Sequence, residues 1–218
     1  MGLRRGAYRS VRQAMKIDIG CGAKKNGADY VGLDFAAAPG VDHIVNLLTD
    51  RFPFADRSVD EVFSSHCLEH LNSPNNVWRE ISRVIKPGGR IEIWTPWPWH
   101  DDQHLIGHVA TWGPARWRHL SGGPERHFYS EHFLGRGYWR WIEARYVIDL
   151  TVKERFERAG LTIEMAVKHH INTVTEWGCF FEYCLQDPGE HVPVETYAHG
   201  RGGDVWPLVK QGADMAAE

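Results

Sequence analysis

No apolar run in the 218 residues approaches the length needed to cross a bilayer. The opening stretch, MGLRRGAYRSVRQAM, is basic but lacks the apolar segment of a secretory signal, and Gly6 stands where a myristoylation motif requires Ser or Thr. A cytoplasmic location with no membrane partner is therefore expected. Cysteine is scarce: Cys21, Cys67, Cys179 and Cys184 form no CxxC pair, which argues against a thiolate metal knuckle or a dithiol redox centre and for reduced, structural thiols. A basic excess is missing too, since the formal net charge is −3, so a nucleic-acid partner has no global electrostatic footprint. No internal repeat is present.

What is present is an ordinary globular composition, 43% hydrophobic and 24% charged, in a chain long enough for one domain with a full core. MKIDIG reads as a short buried strand entering a tight turn, ADYVGLDF as a second strand ending near Asp34, VDHIVNL as a third and SVDEVFSSH as a fourth. Between Ser73 and Lys86, Val77, Ile81, Val84 and Ile85 recur at helical spacing, with Ser73 as N-cap and Pro74 in the first turn. KPGG ends that helix and leads into RIEIWTP, a strand, so a parallel crossover unit is expected. TVKERFERAGL predicts a further helix with a Thr151/Glu154 capping box, and LTIEMAV with WGCFFEYCL predicts a closing strand pair. The expected organisation is a basic arm over 1–15, one domain over 16–185 with an aromatic-rich insertion over 97–145, and a Pro/Gly-rich tail over 186–218. Alternating strands and helices imply an α/β sheet whose ligand sits beyond the C-terminal strand ends, along a rim holding Gly20, Asp34, Asn46 and Ser65.

The turn after the first strand, IDIGCG, has Gly20 and Gly22, which let a ligand approach the backbone and leave N–H groups exposed. A nicotinamide fingerprint is excluded: Lys25 occupies the third glycine position, and Asp18 is badly placed for a pyrophosphate. A carboxylate there suits a cationic ligand, and S-adenosylmethionine carries both a sulfonium and an amino group. The chain between Gly22 and the end of the second strand is too short for a full crossover helix, which predicts an open edge near Lys24 and Asn26.

IDIGCG, GLD, FPFADRSVDEVFSSHCLEHL and REISRVIKPGGRIEIWTP follow one another in the order and spacing of class I S-adenosylmethionine-dependent methyltransferases. Over roughly residues 16–96 the chain resembles the small methyltransferase type 11 members with a shortened first crossover. That resemblance implies a three-layer Rossmann-like α/β sheet with a C-terminal antiparallel strand pair. It implies S-adenosyl-L-methionine as cofactor and S-adenosyl-L-homocysteine as product. It assigns Asp18, Gly20, Cys21 and Gly22 to the methionine end, Asp34 with the adjoining Phe35 to the ribose, and Asn46 with Leu47 to the adenine, Asp50 competing for that last role. Ser65 and His66 are assigned to the region facing the methyl group, while Glu69 and His70 read equally well as structural.

Methyl transfer needs alignment of an in-line displacement, and a base only where the acceptor holds its proton tightly. WPWHDDQHLIGH sets His100, His104 and His108 four residues apart beside Asp101 and Asp102, and His100, His104 and Asp101 are the catalytic candidates; no metal site is expected. Trp97 to Trp141, with Phe128, Tyr129, Phe133 and Tyr138, reads either as a lid for a planar or sugar-like small acceptor or as a satellite core or homodimer interface. The function expected is methyl transfer to an oxygen or nitrogen of a small molecule. The alternatives are a non-catalytic cofactor-binding module attached to a partner protein, or a macromolecular acceptor met by Arg116, Arg118, Arg126, Arg136 and Arg140.

Overall fold

In a computed structural model, residues 13–121, 137–189 and 191–208 are described. The predicted basic arm, Arg126, Phe128, Tyr129, Phe133 and Arg136 lie wholly or almost wholly outside them. The described residues form one nine-stranded sheet: β1 (Lys16–Ile19), β2 (Tyr30–Asp34), β3 (His43–Ile44), β4 (Val59–Ser65), β5 (Ile85–Pro96), β6 (Tyr138–Ile148), β7 (Val174–Cys184), β8 (Val194–Ala198) and β9 (Val205–Pro207). Their spatial order is β3-β2-β1-β4-β5-β7-β6-β8-β9. β3, β2, β1, β4 and β5 pair in parallel, and β7 then runs antiparallel to both β5 and β6. The strand order reverses between β1 and β4, which opens a crevice at their C-terminal ends.

The connections into β2 and β3 contain no helix, as the short spacing requires. Packed backbone takes its place. A Cβ on Gly32 would stand 2.1 Å from the Gly40 carbonyl, and one on Gly40 2.8 Å from the Gly22 carbonyl, so the 35–42 loop lies directly on the turn after β1.

α1 (Asn75–Val84) crosses from β4 to β5 and buries Val77, Trp78, Ile81 and Val84. It starts one turn position later than Ser73 capping predicts, with Pro74 as N-cap. It also ends at Val84, because KPGG is drawn into an irregular start of β5. The Arg57 guanidinium donates to the Ser82 and Ile85 carbonyls, closing that C-terminus.

α2 (Pro114–Leu120), α3 (Leu150–Arg158) and α4 (Ile163–His169) complete the described helices. The cap of α3 is Asp149, whose carboxylate accepts from the Thr151 N–H at 2.7 Å, in place of the predicted Thr151/Glu154 box. LTIEMAV is a helix, not a strand: Thr162 accepts from the Met165 N–H, Glu164 lies in the first turn and Lys168 and His169 in the last. The closing antiparallel pair is β6 with β7, so the insertion predicted over 97–145 gives its last residues to the sheet. The tail contributes β8 and β9, and Val194–Ala198 pairs in parallel with β6.

The tryptophans are mostly interior. Trp78, Trp97, Trp112, Trp117, Trp139, Trp141 and Trp177 are buried in one core with Ile17, Ile19, Val62 and Ile91. Trp78 meets Trp112, Trp117 and Trp139 edge-to-face at centroid distances of 5.1, 6.1 and 5.3 Å. Among the described tryptophans of 97–145, the one left on the surface is Trp99, at 53% exposure. Of the two readings of this segment, acceptor lid or packed core, its described tryptophans other than Trp99 follow the second.

Candidate functional site

A cavity of about 620 Å³ opens at the β1/β4 crevice, lined by Gly20, Asp34, Phe35, Asn46, Leu47, Leu48, His66, Cys67, His70 and Leu71. That size suits a nucleoside-like ligand. Six of the ten predicted cofactor contacts stand on its wall: Gly20, Asp34, Phe35, Asn46, Leu47 and His66. Asp18, Cys21, Gly22 and Ser65 lie off it.

The turn is closed on its own strand. The Gly20 and Cys21 N–H groups both donate to the Leu33 carbonyl, and the Gly22 N–H donates to Asp34 Oδ2 at 2.9 Å. The N–H groups expected to be exposed at Gly20 and Gly22 are therefore already used. Gly20 and Gly22 hold φ of +71° and +55°, and a Cβ on Gly20 would meet Cys67 Sγ at 2.3 Å. Asp34 also accepts from the Phe35 N–H at 2.7 Å, so both carboxylate oxygens are fixed at the cavity edge with lone pairs to spare. Phe35 is largely exposed beside it.

Asn46 lines the cavity, its Oδ1 accepting from the Leu48 N–H. Asp50 is turned inward to its own loop, taking the Asn46 N–H and the Thr49 hydroxyl, and does not border the cavity. Burial pushes the Cys67 thiol up to about 12 and the Cys21 thiol up to about 11, so neither is a thiolate at neutral pH.

Asp18 is 2% exposed and accepts from the Asn26 N–H at 2.8 Å. Burial pushes its carboxyl up to about 6. Between about pH 4 and 6 the native protein keeps a proton that the unfolded chain has released, so stability falls as pH rises through that window and the cost is complete above it. Asp18→Asn removes that cost while keeping an oxygen for Asn26. At pH 7.5 its apo form is expected to be about 2 kcal/mol more stable than wild type, a gain absent at pH 4. Thermal melts at the two pH values check this; equal melting temperatures at both would overturn it.

Sequence reasoning underweights the opposite wall. His66 has φ +48°, and its two ring nitrogens lie 3.1 Å from Glu69 Oε1 and 2.8 Å from Glu176 Oε2. Those hydrogen bonds, the one to Glu176 first, raise its pKa to about 9. Hydrogen bonds from His66 and Arg201 hold the Glu176 carboxyl down at about 2 despite its burial. Arg201, from the segment between β8 and β9, grips Glu176 with its guanidinium and also donates to the Ser65 hydroxyl. Nothing in local spacing announces a contact between residues 65, 176 and 201.

The predicted catalytic trio is not brought into the cavity. His100 caps the 3₁₀ turn Asp101–His104, accepting from the Asp102 N–H at 3.1 Å. Asp101 is bound to Asn172 through its N–H and its carboxylate, and His104 is exposed at the end of the same turn. The 3₁₀ turn stops before Leu105, so the three histidines do not share a helical face. His108 instead meets His70, their rings perpendicular with centroids 4.7 Å apart.

Two of the arginines proposed for a basic patch are engaged: Arg116 lies over the Trp112 ring and Arg140 pairs with Glu182. No described helix is long and apolar enough to cross a membrane.

The strand order, the reversed β7 and a cavity at the crevice define the class I S-adenosylmethionine-dependent methyltransferase fold. Residues 17–93 match the family described as methyltransferase domain. The chain is 30% identical over 117 residues to a demethylmenaquinone methyltransferase of Renibacterium salmoninarum, covering 50% of this chain and 40% of that protein. It is 45% identical over 49 residues to a malonyl-[acyl-carrier protein] O-methyltransferase of Marinomonas sp., covering 22% and 18%. The chain thus spans 40% or less of these relatives' lengths. A solved S-adenosylmethionine-dependent methyltransferase of Archaeoglobus fulgidus superposes with a TM-score of 0.50 at 15% identity, covering 78% of this chain and 86% of that one, a likeness of fold.

Proposed function

We propose that this protein transfers a methyl group from S-adenosyl-L-methionine to an oxygen or nitrogen of a small-molecule acceptor. The observation that carries the reading is the cavity itself, with Asp34, Phe35 and Asn46 along one side and His66 and His70 along the other. When bound, S-adenosylmethionine supplies a methyl group already activated on a sulfonium. Asp34 is suited to accept from two ribose hydroxyls, Phe35 to cover a flat base, and the Asn46 amide to meet the adenine edge. The Marinomonas relative, named an O-methyltransferase, supports an oxygen acceptor.

Trp99, Leu105, Ile106 and Val109 are exposed apolar side chains, and Gly107 among them accepts from His70 at the cavity wall. They offer a flat or apolar acceptor a surface that the buried tryptophans do not. Protonated between two carboxylates, His66 is a poor general base at neutral pH. Among the described residues His100, Asp101 and His104 border no part of the cavity, so the reading rests on alignment of the acceptor rather than on these three as bases.

Calorimetry with S-adenosylmethionine and S-adenosylhomocysteine tests the reading, with one equivalent of each expected to bind. Absence of binding would overturn it, and binding without turnover across oxygen, nitrogen and carbon acceptors would overturn the transfer while leaving the cofactor site.

A further inference from the structure

Glu69, His70 and His108 form a cluster that the cofactor site does not use as ligands. Glu69 follows β4 in a 3₁₀ turn and is fully buried, yet its Oε2 has no hydrogen-bond partner. Such an atom is costly unless something cationic completes it. Its other oxygen is held by His66, which fixes the carboxylate's orientation. His108 Nδ1 is likewise a buried polar atom without a partner. One ligand atom from each of Glu69, His70 and His108 lies within 4.8 Å of the others.

The support around the three residues is of the kind metal sites have. His70 Nδ1 lies 3.0 Å from the Gly107 carbonyl, which selects the tautomer donating there and leaves the Nε2 lone pair free. The loop carrying His108 is tied to Glu69 itself: the Val109 and Ala110 N–H groups donate to the Glu69 carbonyl at 2.7 and 3.0 Å. Buried Gln103 donates to the Ala110 carbonyl at 3.1 Å.

We propose that Glu69, His70 and His108 bind one divalent transition-metal ion of the zinc class. Two imidazoles and one carboxylate are a donor set that zinc favours, and three protein ligands leave a fourth position open; of the three, His70 borders the cavity. Tetrahedral bonds of about 2.0–2.1 Å put ligand atoms roughly 3.4 Å apart, so side-chain rotation draws the three atoms in from within 4.8 Å of one another on binding. This departs from the expectation of no metal site, which considered only the His100/His104/His108 row. It does not depend on the methyl-transfer reading.

The test is zinc titration by calorimetry on the chelator-treated full chain, with cobalt absorption as a spectroscopic readout of coordination. One equivalent is expected. Affinity should fall at least about tenfold in His108→Ala and in Glu69→Gln, the loss typical even of an outer partner in such sites, and stay unchanged in His169→Ala, on the exposed end of α4. Binding of S-adenosylhomocysteine and circular dichroism, measured on each variant, report separately on the cavity and on folding. No stoichiometric binding by wild type, or wild-type affinity in both His108→Ala and Glu69→Gln, would overturn the site.

Discussion

Asp34→Ala is expected to weaken S-adenosylhomocysteine binding roughly a hundredfold, about 3 kcal/mol, while the chain stays folded. The carboxylate has two jobs. It fastens the Gly22 N–H at 2.9 Å and the Phe35 N–H at 2.7 Å, so the turn after β1 and the end of β2 are held by one side chain. It also borders the cavity, where its remaining lone pairs suit ribose hydroxyls, and hydrogen bonds to a charged group contribute about 1.5–3 kcal/mol each. Asp34→Asn keeps one acceptor oxygen and is expected to fall between wild type and alanine. Calorimetry with the product decides the matter: affinity within threefold of wild type in the alanine variant would remove Asp34 from the ribose site.

Gly32→Ala is expected to lower stability by about 3 kcal/mol, the upper range of overpacking costs, and the melting temperature by roughly 6–12 °C for a chain of this size. The added methyl would meet the Gly40 carbonyl at 2.1 Å and Cys21 Sγ at 2.7 Å. The first of these is backbone, anchored where the Asp42 N–H donates to the Gly32 carbonyl and the Gly32 N–H to the Asp42 carboxylate. Nothing nearby yields cheaply. An unchanged melting temperature would show that the 35–42 loop lifts off the turn, and that backbone packing there is not the substitute for a first helix.

Much of the sheet is legible in the sequence because its cofactor half is local in character. The first four strands and α1 each announce themselves by a short apolar pattern and a glycine or proline boundary, and Gly22 to Asp34 is visibly too short for a helix. The site is legible to the same extent: Gly20, Asp34, Phe35, Asn46, Leu47 and His66 line the cavity; Asp34 ends β2 and the others lie just after strands.

What was hidden depends on distance. Arg201 reaches Ser65 across 136 positions, and β8 finds β6 about fifty residues away, pairings that no local period encodes. The histidine row misleads because i, i+4 spacing implies a shared face only on a helix, and a four-residue 3₁₀ turn followed by irregular chain turns each ring differently. LTIEMAV misled because its alternation is equally compatible with a short helix, and Thr162, the cap that decides between them, was read as part of a strand.

The two outermost described strands are β3, of two residues, and β9, of three and ending in Pro207. Neither presents a run of free N–H and C=O groups long enough to template another strand, and proline removes a donor at one of them. Among the described residues the sheet is therefore blunt at both sides, protected against growing by strand addition. A second copy would have to meet it through side chains on a face, which points mutagenesis of any self-association toward Trp99, Leu105 and Ile106 rather than toward the sheet margins.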